Sequence, residues 1–335
     1  VFPGFTAHFI ASPLKEMPIE KSEIEVGPAV AKLRERLSKF ETEEGRKIGL
    51  SLQTQPSDVI ITTSPKAGTT WVQQIVHQLR SGGSMSFGEI SMEIPFIEVA
   101  HDLQQDLTKP QSYHPRAFKT HLWKPHCPAG ARYIVVVRDP VDVALSFYRF
   151  FEGWFFAPGE VQPDEFVREF WLARGVPSSA MQNASYYHHL LSWWPHRWDK
   201  DVLFLFYEDL KQDLQFNVNR IADFLMLPSD SPRLRQVAAE HSSFEFMSSN
   251  KSHFDEKLCV MHRNSPCGLP PTAGTGGKVR TGNVGDGSKV LSPETIYAIR
   301  SRWMEVVGAA TGFNTYSEML GAHRAEVTEV LRRRE

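Results

Sequence analysis

The sequence predicts an α/β fold in which helices cover both faces of a central parallel sheet. Two segments, 58–79 and 131–150, support this prediction, because each has a β-branched apolar run followed by apolar residues at helical spacing. In the first segment the helical pattern begins at Trp71. In the second, Asp139 suits a helix N-cap and Pro140 the first helical position. Strands that alternate with helices along a chain are typical of parallel sheets.

Two later segments, 210–227 and 292–303, also have amphipathic spacing and are predicted to be helices. Pro228 is expected to end the first helix, and Ser292 to cap the second.

Composition and charge limit the classes of function. The chain has 335 residues, of which 41% are hydrophobic and 23% charged, which favours a large core over a disordered chain. The formal net charge of −2 argues against a nucleic-acid partner. No apolar run approaches the ~20 residues of a membrane span, so no membrane partner is expected.

The cysteines bear on the cellular compartment. Cys127, Cys259 and Cys267 form neither a disulfide framework nor a metal-ligand pattern, so a reducing, cytoplasmic location is expected. A targeting segment removed before Val1 is the open alternative.

The turn between the strand and the helix of 58–79 contains Lys66 and Gly68. Free backbone N–H groups at a helix N-terminus attract an anion, so this turn is a candidate phosphate site. The ATP/GTP loop places its lysine after the last glycine and follows it with a magnesium-binding hydroxyl, whereas Lys66 precedes Gly68. The turn therefore differs from an ATP/GTP loop, and an ordinary strand-to-helix junction is the alternative.

Two other strand ends carry polar residues. Arg138 leaves the carboxyl end of the second predicted strand, and Ser146 lies about two turns into the following helix, so both side chains can reach one anion. A solvent-facing pair is the alternative. Between the two βα segments, 117–122 contains Lys119 and His121. A histidine at a strand end is a candidate general base, because its unperturbed pKa is near neutrality.

The order of these segments resembles the cytosolic sulfotransferases, whose donor is 3′-phosphoadenosine 5′-phosphosulfate (PAPS). The segment 65–71 resembles their 5′-phosphosulfate loop. Arg138 and Ser146 keep the R-x7-S spacing that binds the donor's 3′-phosphate, and 119–121 matches the catalytic K-T-H motif. The resemblance implies a P-loop-like three-layer fold with a central parallel sheet of about five strands.

Three further segments fit the resemblance. Tyr207 stands in a Y-E-D-L motif that contacts adenine, and 242–244 resembles the T-S-F element that borders it. Phe244 and Trp71 are expected to sandwich the base. The segment 276–286 resembles the R-K-G-x-x-G-D loop that closes over the 3′-phosphate; we call 277–286 the lid loop.

The resemblance implies a set of site residues. The expected donor site consists of Lys66, Ala67, Gly68, Thr69, Thr70, Trp71, Arg138, Ser146, Tyr207, Ser242, Phe244, Arg280, Thr281 and Gly282. His121 is expected to take the acceptor's proton, and Lys66 and Lys119 to stabilise charge on the transferring group. Ser146 is expected to restrain Lys66 before the acceptor binds. No metal is required.

The lid loop and the segment after it depart from the family pattern. Thr281 replaces a lysine and Gly287 a tryptophan, so the lid loop is expected to be more mobile, with Lys278 or Lys289 as a possible substitute cation. The dimerisation pattern K-x-x-x-T-V-x-x-x-E is not recognisable in 288–295, so a homodimer is open.

The acceptor is expected to be a small molecule with a hydroxyl or amine. The predicted acceptor contacts are Phe96, His121, Phe150 and Trp154, in and around the aromatic segment 150–159. A plain core cluster is the alternative for Phe155 and Phe156. An apolar pocket favours phenols or sterol-like alcohols, whereas Glu152, Glu160 and Asp164 would favour a cationic acceptor.

The resemblance runs from Lys66 to Asp286, about two-thirds of the chain. It implies one sulfotransferase domain over 1–335, with an N-terminal extension and helix (1–50), a donor-binding core (51–290) and C-terminal helices (291–335). Two other functions are open: an ATP-dependent small-molecule kinase with a variant phosphate loop, and a non-catalytic nucleotide-binding protein.

Overall fold

The computed structural model describes residues 26–227, 230–275 and 277–333. Its strands are β1 (Val59–Thr63), β2 (Ala117–Thr120), β3 (Arg132–Val137) and β4 (Val202–Phe206). Its α-helices are α1 (Pro28–Leu37), α2 (Glu43–Leu50), α3 (Thr69–Ser81), α4 (Ile90–Glu93), α5 (Pro140–Phe151), α6 (Pro163–Glu165), α7 (Tyr186–Trp193), α8 (Tyr207–Gln212), α9 (Leu214–Leu225), α10 (Pro232–His241), α11 (Phe244–Ser249), α12 (Lys257–Arg263), α13 (Gly287–Val290), α14 (Pro293–Trp303), α15 (Ala309–Thr311) and α16 (Tyr316–Arg332). Short 3₁₀ turns lie at His101–Leu103, Lys124–His126, Trp194–His196 and Lys251–His253, and π-helical turns at Phe166–Trp171 and Met304–Gly308.

The described strands form one parallel sheet in the order β2-β1-β3-β4. The parallel α/β prediction is confirmed, with four strands in the described ranges where about five were expected. At the outer edge of β2, a single parallel bridge joins Phe96 to Lys119, and the Ile97 N–H donates to the Lys119 carbonyl at 3.0 Å. This one bridge occupies the place of a fifth strand.

Helices pack on both faces of the sheet, which gives three layers. Alternate strand residues point to opposite faces. Ile60 and Val135 belong to the buried cluster that includes residues of α5, whereas Ile61 and Ile134 belong to the cluster that includes residues of α3, α9 and α10. The strands are buried on both faces, as expected for a parallel sheet between helices.

Local sequence signals explain most helix boundaries. Asp139 caps α5 by accepting the Val141 N–H at 2.8 Å, and Ser292 caps α14 through the Thr295 N–H. The predicted single helix over 210–227 is wrong. Asp213 ends α8 and caps α9 by accepting the Phe216 N–H, which divides the segment. Its expected stop, Pro228, lies outside the described residues.

The parallel sheet places all strand ends at one edge. His121 follows β2, Ser64 follows β1, Arg138 follows β3 and Tyr207 follows β4. Ligands bind at this carboxyl edge in open α/β sheets.

We expect Ile134→Ala to lower the free energy of unfolding by about 2–5 kcal/mol, because the Ile134 side chain on β3 is fully buried in the cluster that includes residues of α3. Urea denaturation followed by circular dichroism measures this. The control Tyr297→Ala removes a side chain that is 72% exposed and should change the free energy of unfolding by under about 0.5 kcal/mol. Equal effects of the two variants would contradict this layer assignment.

Candidate active site

The turn after β1 presents Lys66 beside the start of α3. Lys66 and Gly68 have positive φ angles of 73° and 116°, so the chain reverses tightly before the helix. A Cβ on Gly68 would lie 3.1 Å from the Tyr207 ring, which explains the glycine. The first N–H groups of α3 have no carbonyl partner within the helix and are available to an anion.

The Lys66 ammonium lies 3.8 Å from the centroid of the Phe150 ring. Burial, followed by the positive charge of Lys278, holds the pKa of Lys66 well below its usual range. Ser146 lines the same cavity, but the hydrogen bonds among the described residues do not include one between Ser146 and Lys66. The expected restraint of Lys66 by Ser146 is therefore not formed in this structure.

Lys119 lies in a buried ionic group. Its Nζ is 3.4 Å from Glu256 Oε1, and Lys278 pairs with the same carboxylate oxygen. Burial alone would lower the pKa of Lys119, but the Glu256 carboxylate raises it above the usual range. Lys119 is therefore a charged group beside the cavity.

His121 is held by two hydrogen bonds. Its Nδ1 lies 2.9 Å from the Thr63 carbonyl oxygen, which only accepts, so Nδ1 carries the proton and Nε2 keeps its lone pair. Its backbone N–H donates to Glu98 at 2.7 Å. Burial and then Lys119 lower the pKa of His121 to about 3, well below the neutral range expected from the sequence. The imidazole is thus a neutral group that can accept a proton.

Arg138 lies between Tyr207 and the lid loop. Its guanidinium carbon is 4.2 Å from the centroid of the Tyr207 ring, and its Nη2 donates to the Asn283 carbonyl at 2.8 Å. The Tyr207 hydroxyl donates to the Gly282 carbonyl at 3.3 Å. Two residues predicted to bind the donor, Arg138 and Tyr207, therefore contact the lid loop.

Asp142 attaches the lid loop and the start of α13 to α5. Its carboxylate accepts the Gly285 and Gly287 N–H groups, each at 2.8 Å. A Cβ on Gly287 would lie 2.5 Å from the Val141 carbonyl oxygen, so only glycine allows this approach. Thr281 Oγ1 donates to Asp286 at 2.9 Å, and Lys289 is exposed and 3.5 Å from Asp286. Lys278 pairs with Glu256 in this structure.

The residues expected around adenine lie near each other. Trp71 Nε1 donates to the Ser242 carbonyl at 2.7 Å, and the Trp71 ring meets the Tyr207 ring edge-on at 5.2 Å. Phe244 lines the cavity with both rings. The side chains of Ala67 and Ser242 are buried outside the cavity lining, so any contribution from these two residues comes from the backbone.

One cavity of about 640 Å³ joins these groups. The predicted residues that line it are Lys66, Gly68, Thr69, Thr70, Trp71, Phe96, Lys119, His121, Arg138, Ser146, Phe150, Trp154, Tyr207, Phe244, Arg280, Thr281 and Gly282. Of all the residues predicted for the site, only Ala67 and Ser242 do not line the cavity.

Aromatic rings form much of the remaining wall. Phe151 and Phe155 line the cavity together with Phe150 and Trp154, whereas Phe156 is core and packs on Tyr148 at 5.6 Å. Both rings belong to the buried core, as the core alternative predicts, and Phe155 in addition lines the cavity.

The carboxylates proposed for a cationic acceptor are used elsewhere. Glu152 accepts from the Tyr148 hydroxyl, Glu160 pairs with Lys32, and Asp164 accepts from Ser292. None of Glu152, Glu160 and Asp164 lines the cavity. These three carboxylates therefore give no support to a cationic acceptor.

Sequence reasoning missed Glu256 and Glu98, which hold Lys119 and His121 in place. Glu256 lies in a segment that matches no motif. Glu98 lies two residues after Phe96, and this closeness to a predicted site residue was the available signal.

No helix in the described ranges is long and apolar enough to cross a membrane.

Comparison with known proteins identifies the family. The family model described as "Sulfotransferase domain" matches residues 56–306. Human sulfotransferase 1E1 is 35% identical over 212 residues, which cover 60% of this chain and 70% of the relative. Dog sulfotransferase 1B1 is 30% identical over 215 residues, covering 59% and 68%.

Solved structures share the fold. Retinol dehydratase in complex with retinol and 3′,5′-adenosine bisphosphate (PAP) superposes with a TM-score of 0.61 at 20% identity, covering 84% of this chain and 94% of that one. Mouse sulfotransferase SULT7A1 complexed with PAP gives a TM-score of 0.60 at 22% identity, covering 85% and 95%.

The predicted fold and enzyme class are therefore confirmed, and the kinase alternative loses its support. By its matched domain and its relatives, the chain belongs to the sulfotransferase family.

Proposed function

We propose that this sulfotransferase moves a sulfuryl group from PAPS to a hydroxyl or amine of a small apolar acceptor. One observation carries the proposal: Lys66, Lys119, His121 and Arg138 all line a single cavity at the carboxyl edge of the sheet. PAP in the solved structures of two fold neighbours supports PAPS as the donor.

The donor roles divide between two groups of residues. Lys66 and the N–H groups of 68–71 bind the 5′-phosphosulfate at the start of α3. Arg138, Ser146 and Arg280 bind the 3′-phosphate, and Trp71, Tyr207 and Phe244 surround the adenine by aromatic contact.

His121 acts as the general base. Its Nε2 accepts the proton of the acceptor hydroxyl or amine while the acceptor atom forms its bond to sulfur. The bond between sulfur and the 5′-phosphate oxygen breaks, and the phosphate leaves with the electron pair. Lys66 and Lys119 stabilise the charge on the transferring group and the leaving oxygen.

In the donor-free protein, burial and then Lys119 lower the pKa of His121, which keeps the imidazole neutral. Lys119 contributes to lowering this pKa, so a bound anionic donor would offset Lys119 and make His121 more basic. The base would then become stronger only when a donor is present.

The acceptor class follows from the cavity wall. The Phe96 ring lies beside His121, with centroids 5.1 Å apart, and the rings of Phe150 and Trp154 line the same cavity. A lipophilic alcohol or phenol fits this wall. The retinol in the complex of a fold neighbour agrees with that class.

We further propose that 1–335 forms one sulfotransferase domain and works in the cytoplasm. The free thiols of Cys127, Cys259 and Cys267 support a reducing compartment. A homodimer stays a prediction that sedimentation would test.

The nucleotide can be tested first. We expect the protein to bind PAP by calorimetry without magnesium, and to bind it more tightly than ATP with magnesium. Arg138→Ala should weaken PAP binding roughly 10- to 100-fold, because a charge-assisted contact is lost. Arg233→Ala, which removes an exposed side chain on α10, is the matched control. Binding of ATP in place of PAP would overturn the proposal.

The base can be tested by His121→Ala. We expect the variant to keep PAP affinity within about twofold and to lose transfer from PAPS to a panel of phenols and alcohols by roughly 10²- to 10⁴-fold. Turnover equal to that of the wild type would remove His121 from the mechanism.

The pKa of His121 gives a separate test. The imidazole binds a proton near pH 6.5 in the unfolded chain but only near pH 3 in the folded protein, so its burial costs stability as pH falls through that window. We expect its NMR signals in the donor-free protein, assigned with His121→Ala, to show no titration between pH 7.5 and 4. A midpoint near 6.5 would contradict the buried site.

A further inference from the structure

Three buried side chains, Lys119, Lys278 and Glu256, form an ionic cluster, and Lys66 of the phosphate turn lines the same cavity. We call these four residues the lysine cluster. The side chains of Lys119, Lys278 and Glu256 are 4%, 7% and 7% exposed. Glu256 pairs with both Lys119 and Lys278, and Cys259 Sγ donates to its other oxygen at 3.3 Å. All four members line the cavity.

The charges of the lysine cluster do not balance. The cluster holds three lysines and one carboxylate, Glu256, and burial lowers the pKa of both Lys66 and Lys278. Glu89 is the next acidic group, but burial, followed by the charge of Glu256, raises its pKa and favours its neutral form. Buried ammonium groups are costly unless an anion pairs with them. The lysine cluster is therefore built to receive a further anion.

Lys278 belongs to the lid loop, and its ammonium pairs with Glu256, which also pairs with Lys119. Arg280 lines the cavity two residues later, just before the Gly282 and Asn283 carbonyls that Tyr207 and Arg138 contact. The lid loop thus brings one cation to each of two places in the cavity.

We infer that Lys278 is a further donor-binding residue that contacts the phosphosulfate group, and that Glu256 is the positioning residue that holds Lys278 and Lys119 beside it. The inference rests on the proposed function. As the sulfur–oxygen bond of the donor breaks, the leaving phosphate oxygen keeps the electron pair, and Lys278 lies with Lys66 and Lys119 to balance that charge.

This role has a structural consequence for the reaction. Because Lys278 and Arg280 lie on the same lid loop, the loop has to be docked before both ends of the donor are neutralised. Docking of the lid loop would then be a condition for rapid transfer as well as for tight donor binding.

The test compares two lysines of similar sequence position. Lys278→Met should weaken PAP binding roughly tenfold or more by calorimetry and lower kcat/KM for PAPS by a larger factor, because it removes a buried cation from the anion site. Lys289→Met, whose lysine is exposed next to Asp286, should change both by under about twofold. Lys278→Arg should restore much of the loss.

The outcomes separate the two proposals. If the wild type does not bind PAP, the proposed function fails. If the wild type binds PAP and Lys278→Met behaves like Lys289→Met, the inference about Lys278 is overturned. Glu256 stays paired with Lys119 in Lys278→Met, which favours folding; Lys278→Gln, of similar length, repeats the comparison if circular dichroism shows that the methionine variant is unfolded.

The test of Glu256 has to separate a positioning role from a purely structural one, so it measures the pH profile of kcat/KM. Glu256→Gln should lower kcat/KM and shift the basic limb of its pH profile to lower pH, because Lys119 and Lys278 lose their counter-ion. Glu256→Asp should recover part of both effects. A variant that loses thermal stability but keeps the wild-type pH profile would overturn the positioning role.

Discussion

The register of β1 against β2 is the constraint on which the active site depends. Thr62 pairs with Thr120, so the next residue of each strand, Thr63 and His121, also lie side by side, and the Thr63 carbonyl receives the imidazole proton. A slip of one residue would turn every side chain of the strand to the opposite face. The register of β1 against β2 therefore determines which nitrogen of His121 is free.

The sequence predicts the parts of this arrangement that local chemistry specifies. Asp139 and Pro140 determine the start of α5 whatever surrounds them, and the β-branched runs predict β1 and β3. Glu256 could not be predicted, because its role arises only when Lys119 and Lys278 meet it across long sequence separations. Asp213 shows the opposite error: its capping chemistry was present in the sequence, and the amphipathic pattern on both sides obscured the break between α8 and α9.

The same limit applies to the aromatic segment after α5. Phe155 and Phe156 are buried neighbours of the same type, yet Phe155 lines the cavity and Phe156 does not. Burial of either ring is favourable, so composition cannot distinguish them.

The lid loop joins these observations. Its family lysine and tryptophan are replaced by Thr281 and Gly287, which from sequence alone suggest a looser loop. In the structure, Gly287 lets the backbone approach α5 closely enough for Asp142 to bind two N–H groups. A tryptophan could not be accommodated at that distance from the Val141 carbonyl. Hydrogen bonds with Asp142, Arg138 and Tyr207 therefore attach the lid loop and the start of α13, in place of an aromatic side chain at position 287.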